Sequence, residues 1–164
     1  METRKISYMG LLIALALVLS YVEAQIPAFV AIPGIKVGLA NIVVVFALYK
    51  FGVKVALLIS IFRVLLASLM FGSVLSLAYS AAGSFLSLLG MIILKKIKLF
   101  SCVAVSVVGG VLHNIGQILT ACFVLETNVV VYYLPFLILS GTIAGVVVGL
   151  VAALVLKRLD KKEE

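Results

Sequence analysis

KKIKLFSCVAVSVVGGVLHNIGQILTACFVLETN, residues 95–128, is the stretch whose reading decides the fold. Lys95, Lys96 and Lys98 precede an apolar run from about Cys102 to Leu125, and the run stops at Glu126, Thr127 and Asn128. It is long enough to cross the hydrocarbon of a bilayer, where a spanning segment must satisfy its own backbone as a helix or join a closed barrel. Barrel strands are short and alternate apolar with polar residues, whereas this run is continuous. The stretch therefore reads as a transmembrane helix with a basic end and a polar, weakly acidic end.

Outward from it the same grammar repeats. Apolar runs from about Ser7 to Val22, Lys36 to Tyr49, Val53 to Met70, Ser73 to Leu94 and Val131 to Leu156 give six helices in all. The expected fold is all-α: one polytopic membrane domain over residues 1–164, with six transmembrane helices in a bundle. The second run is short for a span, which requires it to be tilted, extended by its flanks or partly surrounded by protein. Pro27, Pro33 and Gly34 separate it from the first run, since proline lacks a donor and restricts the residue before it. Arg4 and Lys5 ahead of helix one resemble a signal peptide, but the run continues to Glu23 without a small-residue cleavage pattern and is read as retained.

Of the thirteen Lys and Arg residues, all but Lys36 and Arg63 fall on one side of this threading, at Arg4/Lys5, Lys50/Lys54, Lys95–Lys98 and Lys157–Lys162. The positive-inside rule places that side, with both termini, in the cytoplasm of a cell-membrane protein. A chain that is 65% hydrophobic and 12% charged, with no Trp, cannot present a soluble exterior. Its net charge of +7 accordingly points to anionic lipid headgroups and not to nucleic acid. Cys102 and Cys122 have no CxxC or metal-site spacing and read as small packing residues.

Small residues recur at helical spacing: Gly10 with Ala14, then Ser76, Ser80, Gly83, Ser84 and Ser87, and then Gly141, Gly145 and Gly149. Such rows let helix backbones approach closely, either within the chain or against another membrane subunit. Gly10 and Ala14, starting from the basic end of helix one, are the candidate docking residues.

Charged and strongly polar residues inside apolar helices need a partner or a function. Arg63 falls near the middle of helix three and either pairs with Glu23 or Glu126 or meets an anionic or carbonyl-bearing ligand. His113, Asn114 and Gln117 are spaced to project into one sector of helix five and offer donors and acceptors to a planar organic molecule. Lys36, Gly38 and Asn41 lie where helix two begins, and helix N-termini favour anions. Tyr79 is a candidate for the lining of an outer pocket. No second His, Cys or paired carboxylate completes a metal shell, and no P-loop or nucleophilic triad is present in the sequence.

The strings PGIKVGLANIVVVFALY (33–49), SVVGGVLHNIGQ (106–117) and YYLPFLILSGTIAGVVVG (132–149) resemble the family labelled heptaprenyl diphosphate synthase component I, also called the Gx transporter family. Its members are similar in size and arrangement to the S components of energy-coupling factor (ECF) transporters. The resemblance implies a substrate-binding bundle that takes up a vitamin, quinone precursor or prenyl compound. It would work with a membrane coupling subunit and two cytoplasmic ATPases, so that no cofactor binds directly and ATP acts only through partners. The matching positions are Gly34, Lys36, Gly38, Asn41, His113, Asn114, Gln117 and Pro135. An AxxxA row on helix one is absent here, since Val18 follows Ala14, which leaves Gly10 and Ala14 as the nearest equivalent.

Prenyl elongation needs Asp-rich segments that hold magnesium, and the chain has a single aspartate, Asp160. The expectation is a non-enzymatic substrate-binding subunit of an uptake transporter. The alternatives are a non-catalytic accessory component of heptaprenyl diphosphate synthesis and a structural subunit of another membrane complex.

Overall fold

The computed structural model describes residues 2–25 and 38–161. Helix α1 spans Glu2–Gln25, α2 Asn41–Lys50, α3 Val53–Phe71, α4 Val74–Ile97, α5 Cys102–Leu125 and α6 Leu134–Asp160, with a 3-10 turn over Val129–Tyr133 leading into α6. Among the described residues five segments are long and apolar enough to cross a membrane: Ile6–Gln25, Val53–Phe71, Val74–Ile97, Cys102–Leu125 and Val129–Leu159. The protein is thus an all-α, multi-pass membrane protein.

Helix boundaries follow local chemistry. The hydroxyls of Ser73 and Ser101 accept the amides of Ser76 (3.1 Å) and Ala104 (3.2 Å), capping the starts of α4 and α5. Lys98 and Glu126 adopt left-handed backbone at the ends of those two helices, with φ of 61° and 49°. Gly52, at φ 92°, makes the turn between α2 and α3, a conformation open to glycine.

The second apolar run departs most from its sequence reading. Its helix has ten residues and begins at Asn41, and the expected start at Lys36 lies outside the described residues. At about 15 Å it covers half of a bilayer core of roughly 30 Å. Of the arrangements the sequence allows for a short run, partial enclosure by protein is present. Val43, Val44, Val45, Ala47 and Leu48 are all buried and cover more than half of the circumference of α2, while Ile42, Phe46 and Tyr49 on the remaining side are half-buried.

Helices α2, α3, α4, α5 and α6 contact one another in that order and close through α6 and α2, while α1 lies outside against α3 and α2. The core gathers around α2, where its valines meet Ala16, Ile59, Leu88, Val105 and Val148. At the basic end, the Lys95 ammonium of α4 donates to the carbonyl of Leu48 and stands 5.0 Å from the centre of the Tyr49 ring. A cation is thus held against the last carbonyls of α2, where the helix dipole is negative. Lys95→Ala is expected to loosen the end of α2 and cost about 2 kcal/mol, read as a lower unfolding midpoint in detergent. An unchanged midpoint would show that Lys95 contributes nothing to holding α2.

The glycine rows have their partners inside the chain. A Cβ built on Gly145 would lie 2.5 Å from Val107 Cα, and one on Gly149 2.7 Å from Val103 Cα, so α6 touches the α5 backbone directly. Gly116 meets Ala82 and Gly83 in the same way across the α4–α5 contact. On α1, by contrast, Gly10 has nothing within 4 Å of that position, and Ala14 is exposed with it.

Candidate functional site

A cavity of about 130 Å³ runs along the bundle axis and is lined by all six helices. One end is bordered by Glu23 and Ala24 at the close of α1, Gly38 and Asn41 at the start of α2, and Phe71 and Gly72 after α3. This is the end opposite the Lys95–Lys98 cluster. The other end narrows toward Met91, Ser106 and Val148.

Arg63 is the cation of this chamber. It projects from α3, where Val64, Ala67 and Ser68 also line the cavity, and its Nη2 donates to Ser84 Oγ on α4 at 3.1 Å. Its Nε is buried and has no hydrogen-bond partner among the described residues. Glu23 stands close enough to interact favourably with the guanidinium. Glu23 Oε1 also accepts the Gly38 amide at 2.6 Å, and this bond ties the end of α1 to the start of α2. Gly38 has φ +74°, which presents its amide to the carboxylate.

Asn114 lines the chamber and donates from Nδ2 to the Leu137 carbonyl at 2.6 Å, joining α5 to α6. His113 lines it from the adjacent position, and Asn41 does so from α2. Hydroxyls supply much of the remaining polarity: Ser20, Ser68, Ser76, Ser80, Ser87 and Ser106 all face the cavity.

The structure therefore brings Glu23, Asn41, Arg63, His113 and Asn114 together around one space. Gln117 is buried, but its side chain packs under Gly83 at the α4–α5 contact. Tyr79 is not among the lining residues. Glu126 is exposed at the αL cap of α5, and the carboxylate near Arg63 is Glu23. Lys36 lies outside the described residues.

Ser20, Ser68 and Ser106 did not stand out in the sequence. Ser68 lies five residues after Arg63, about 140° round the helix, so helical spacing from Arg63 gave no signal for it. The α4 serines were visible as small residues at helical spacing, which does not separate a helix seam from a cavity wall. Here they do both: Ser76, Ser80 and Ser87 face the cavity, while Ser84 holds Arg63. Among the described residues no group of three His, Cys, Asp or Glu is placed to hold a metal ion.

Membrane-length helices around a polar chamber define a multi-pass membrane protein with room for a small ligand. Comparison with protein families matches residues 12–155 to the one described as Heptaprenyl diphosphate synthase component I, and the chain belongs to that family. Comparison with curated proteins finds no match, and neither does comparison with solved structures.

Proposed function

We propose that this protein is a non-catalytic membrane subunit that binds a small organic molecule, neutral or singly anionic, in the six-helix cavity. The observation that carries the reading is Arg63: a guanidinium inside the bundle, with one donor on Ser84 and its Nε unclaimed, facing a space that polar side chains share. A charge at that depth costs several kcal/mol unless paired or wet, so the arrangement favours an acceptor in the cavity. Glu23 offsets the guanidinium, which leaves the empty site close to neutral among its described carboxylate and guanidinium groups. Among the described residues, one cation so balanced suits a carboxylate or carbonyl better than a diphosphate.

The basic end faces the cytoplasm in this reading, and the ligand enters from the opposite face beside Glu23 and Gly38. Release inward would involve partners of the ECF type, a coupling subunit and ATPases, with Gly10 and Ala14 on the exposed side of α1 as the contact. The ligand class is tested by native mass spectrometry of protein extracted in its own lipids. A stoichiometric small polar organic molecule is expected, retained in Glu126→Gln and lost in Arg63→Met. Recovery of prenyl lipids alone would overturn the reading.

The family's description favours a second reading, an accessory component beside a catalytic subunit in heptaprenyl diphosphate synthesis. The chain's single aspartate makes catalysis of that reaction a matter for another subunit. A rise in prenyltransferase activity on reconstitution with such a subunit, insensitive to Arg63→Met, would favour this role over uptake.

A further inference from the structure

At the inner end of the cavity one serine hydroxyl is both buried and without a hydrogen-bond partner among the described residues. Inside an apolar helix a serine or threonine ordinarily bonds back to a carbonyl one turn earlier. Thr120 does so to Gly116 at 2.9 Å, Thr142 to Ile138 at 2.8 Å and Ser140 to Leu137 at 3.2 Å. Ser106 does not: it is 3% exposed, its Oγ has no hydrogen-bond partner among the described residues, and it lines the cavity. An unmade hydrogen bond in such surroundings costs free energy unless something in the cavity completes it.

Ser87, also 3% exposed, supplies a second hydroxyl about one helical turn nearer Arg63. A Cβ built on Gly109 would lie 3.2 Å from Ser87 Oγ, and Ser106 precedes Gly109 by three positions on the same face of α5. Met91, at 2% exposure, completes the floor. The level of Arg63 is set by its bond to Ser84, three residues before Ser87 on α4, a rise of about 4.5 Å. The chamber thus offers a guanidinium edge and, roughly one and two helical turns deeper, the buried hydroxyls of Ser87 and Ser106.

We infer that Ser106, with Ser87, is the specificity floor of the ligand site. It would select compact organic acids that carry a neutral hydroxyl or carbonyl at the end away from the acid group. The inference rests on the ligand-binding reading above and adds to it the direction in which the ligand lies: acid group at Arg63, neutral polar group at the floor. A ligand without that second group leaves Ser106 unpaired, and a site built to hydrogen-bond a group discriminates against the analogue that lacks it.

The test uses the full chain in lipid nanodiscs with two matched probe pairs, benzoate against 4-hydroxybenzoate and hexanoate against 6-hydroxyhexanoate, and reads binding by thermal shift and calorimetry. The hydroxylated member of at least one pair is expected to bind roughly tenfold more tightly to the natural protein. Ser106→Ala should erase that preference, leave the plain acid unchanged, and unfold without ligand no earlier than the natural protein, because it removes an unpaired polar group. Retained preference in Ser106→Ala, or equal weakening of both members, overturns the floor. Arg63-dependent binding of plain acids with no preference for the hydroxylated member overturns the floor alone. No binding of any of the four acids to the natural protein overturns this inference and, with it, the assignment of an organic-acid ligand to Arg63.

Discussion

Gly145→Leu is expected to prevent the protein from folding. The first added carbon would already lie 2.5 Å from Val107 Cα and 3.0 Å from the Ser106 carbonyl oxygen, and both are main-chain atoms with no rotamer to change. Overpacking that side chains can relieve costs about 1–3 kcal/mol, and separating two helix backbones exceeds it because every contact along the α5–α6 face is lost together. Membrane helices have little hydrophobic drive to re-associate once parted. The measurement is the yield of monodisperse protein after extraction, with Gly10→Leu as the control. Gly10 has open space around it, so that variant should be recovered at natural yield. Normal yield of Gly145→Leu would mean that α5 and α6 do not pack as described.

Arg63→Met should leave the fold intact and reduce affinity for an anionic ligand by roughly a hundredfold. Two hydrogen bonds from a guanidinium to an acid, at about 1.5 kcal/mol each, give that factor. Methionine retains much of the side-chain volume, and Glu23, though it loses its counter-charge, keeps its bond to the Gly38 amide, so a modest loss of stability is expected. Ser84 loses its partner but can bond back along α4. Glu126→Gln is the control, because Glu126 is exposed at the cap of α5. Calorimetric titration with the ligand recovered from the natural protein separates the outcomes. Equal affinity in a folded Arg63→Met would remove Arg63 from the site and the proposed ligand class with it.

The long helices were legible because apolar length and charged punctuation are properties of the chain itself. Cys102–Leu125 has the bounds expected of it, and the starts and ends of α3 and α4 lie within three residues of expectation. Helix α2 was misread at its start because the deciding event is tertiary. The left-handed Gly38 gives its amide to Glu23, fifteen residues earlier, and no local pattern announces that bond. The candidate site divides along similar lines. Arg63, His113 and Asn114 were conspicuous because polar groups are costly in hydrocarbon. Gln117 shares the helical spacing of His113, yet α4 crosses at Gly83 and covers it, and only the neighbouring helix determines that. Serine is both small and polar, so the cavity hydroxyls were indistinguishable from packing residues until their surroundings were known.

Direct backbone contact along α4, α5 and α6 also partitions the molecule mechanically. Helices that touch through glycine have no side-chain layer to deform, so sliding one past another by even an ångström meets steep repulsion, and the three should move as one stiff wall. Helix α1 is the opposite case: 11% of its membrane window is buried, against 39% for α5, and among the described residues it rests mainly on α3 and α2. Its Glu23–Gly38 bond lies at the cavity's border and ties α1 to the start of α2. Relative movement within the bundle should therefore fall to α1 sliding over α3 and α2, and the bilayer lipids against α1 become part of the load such a movement works against.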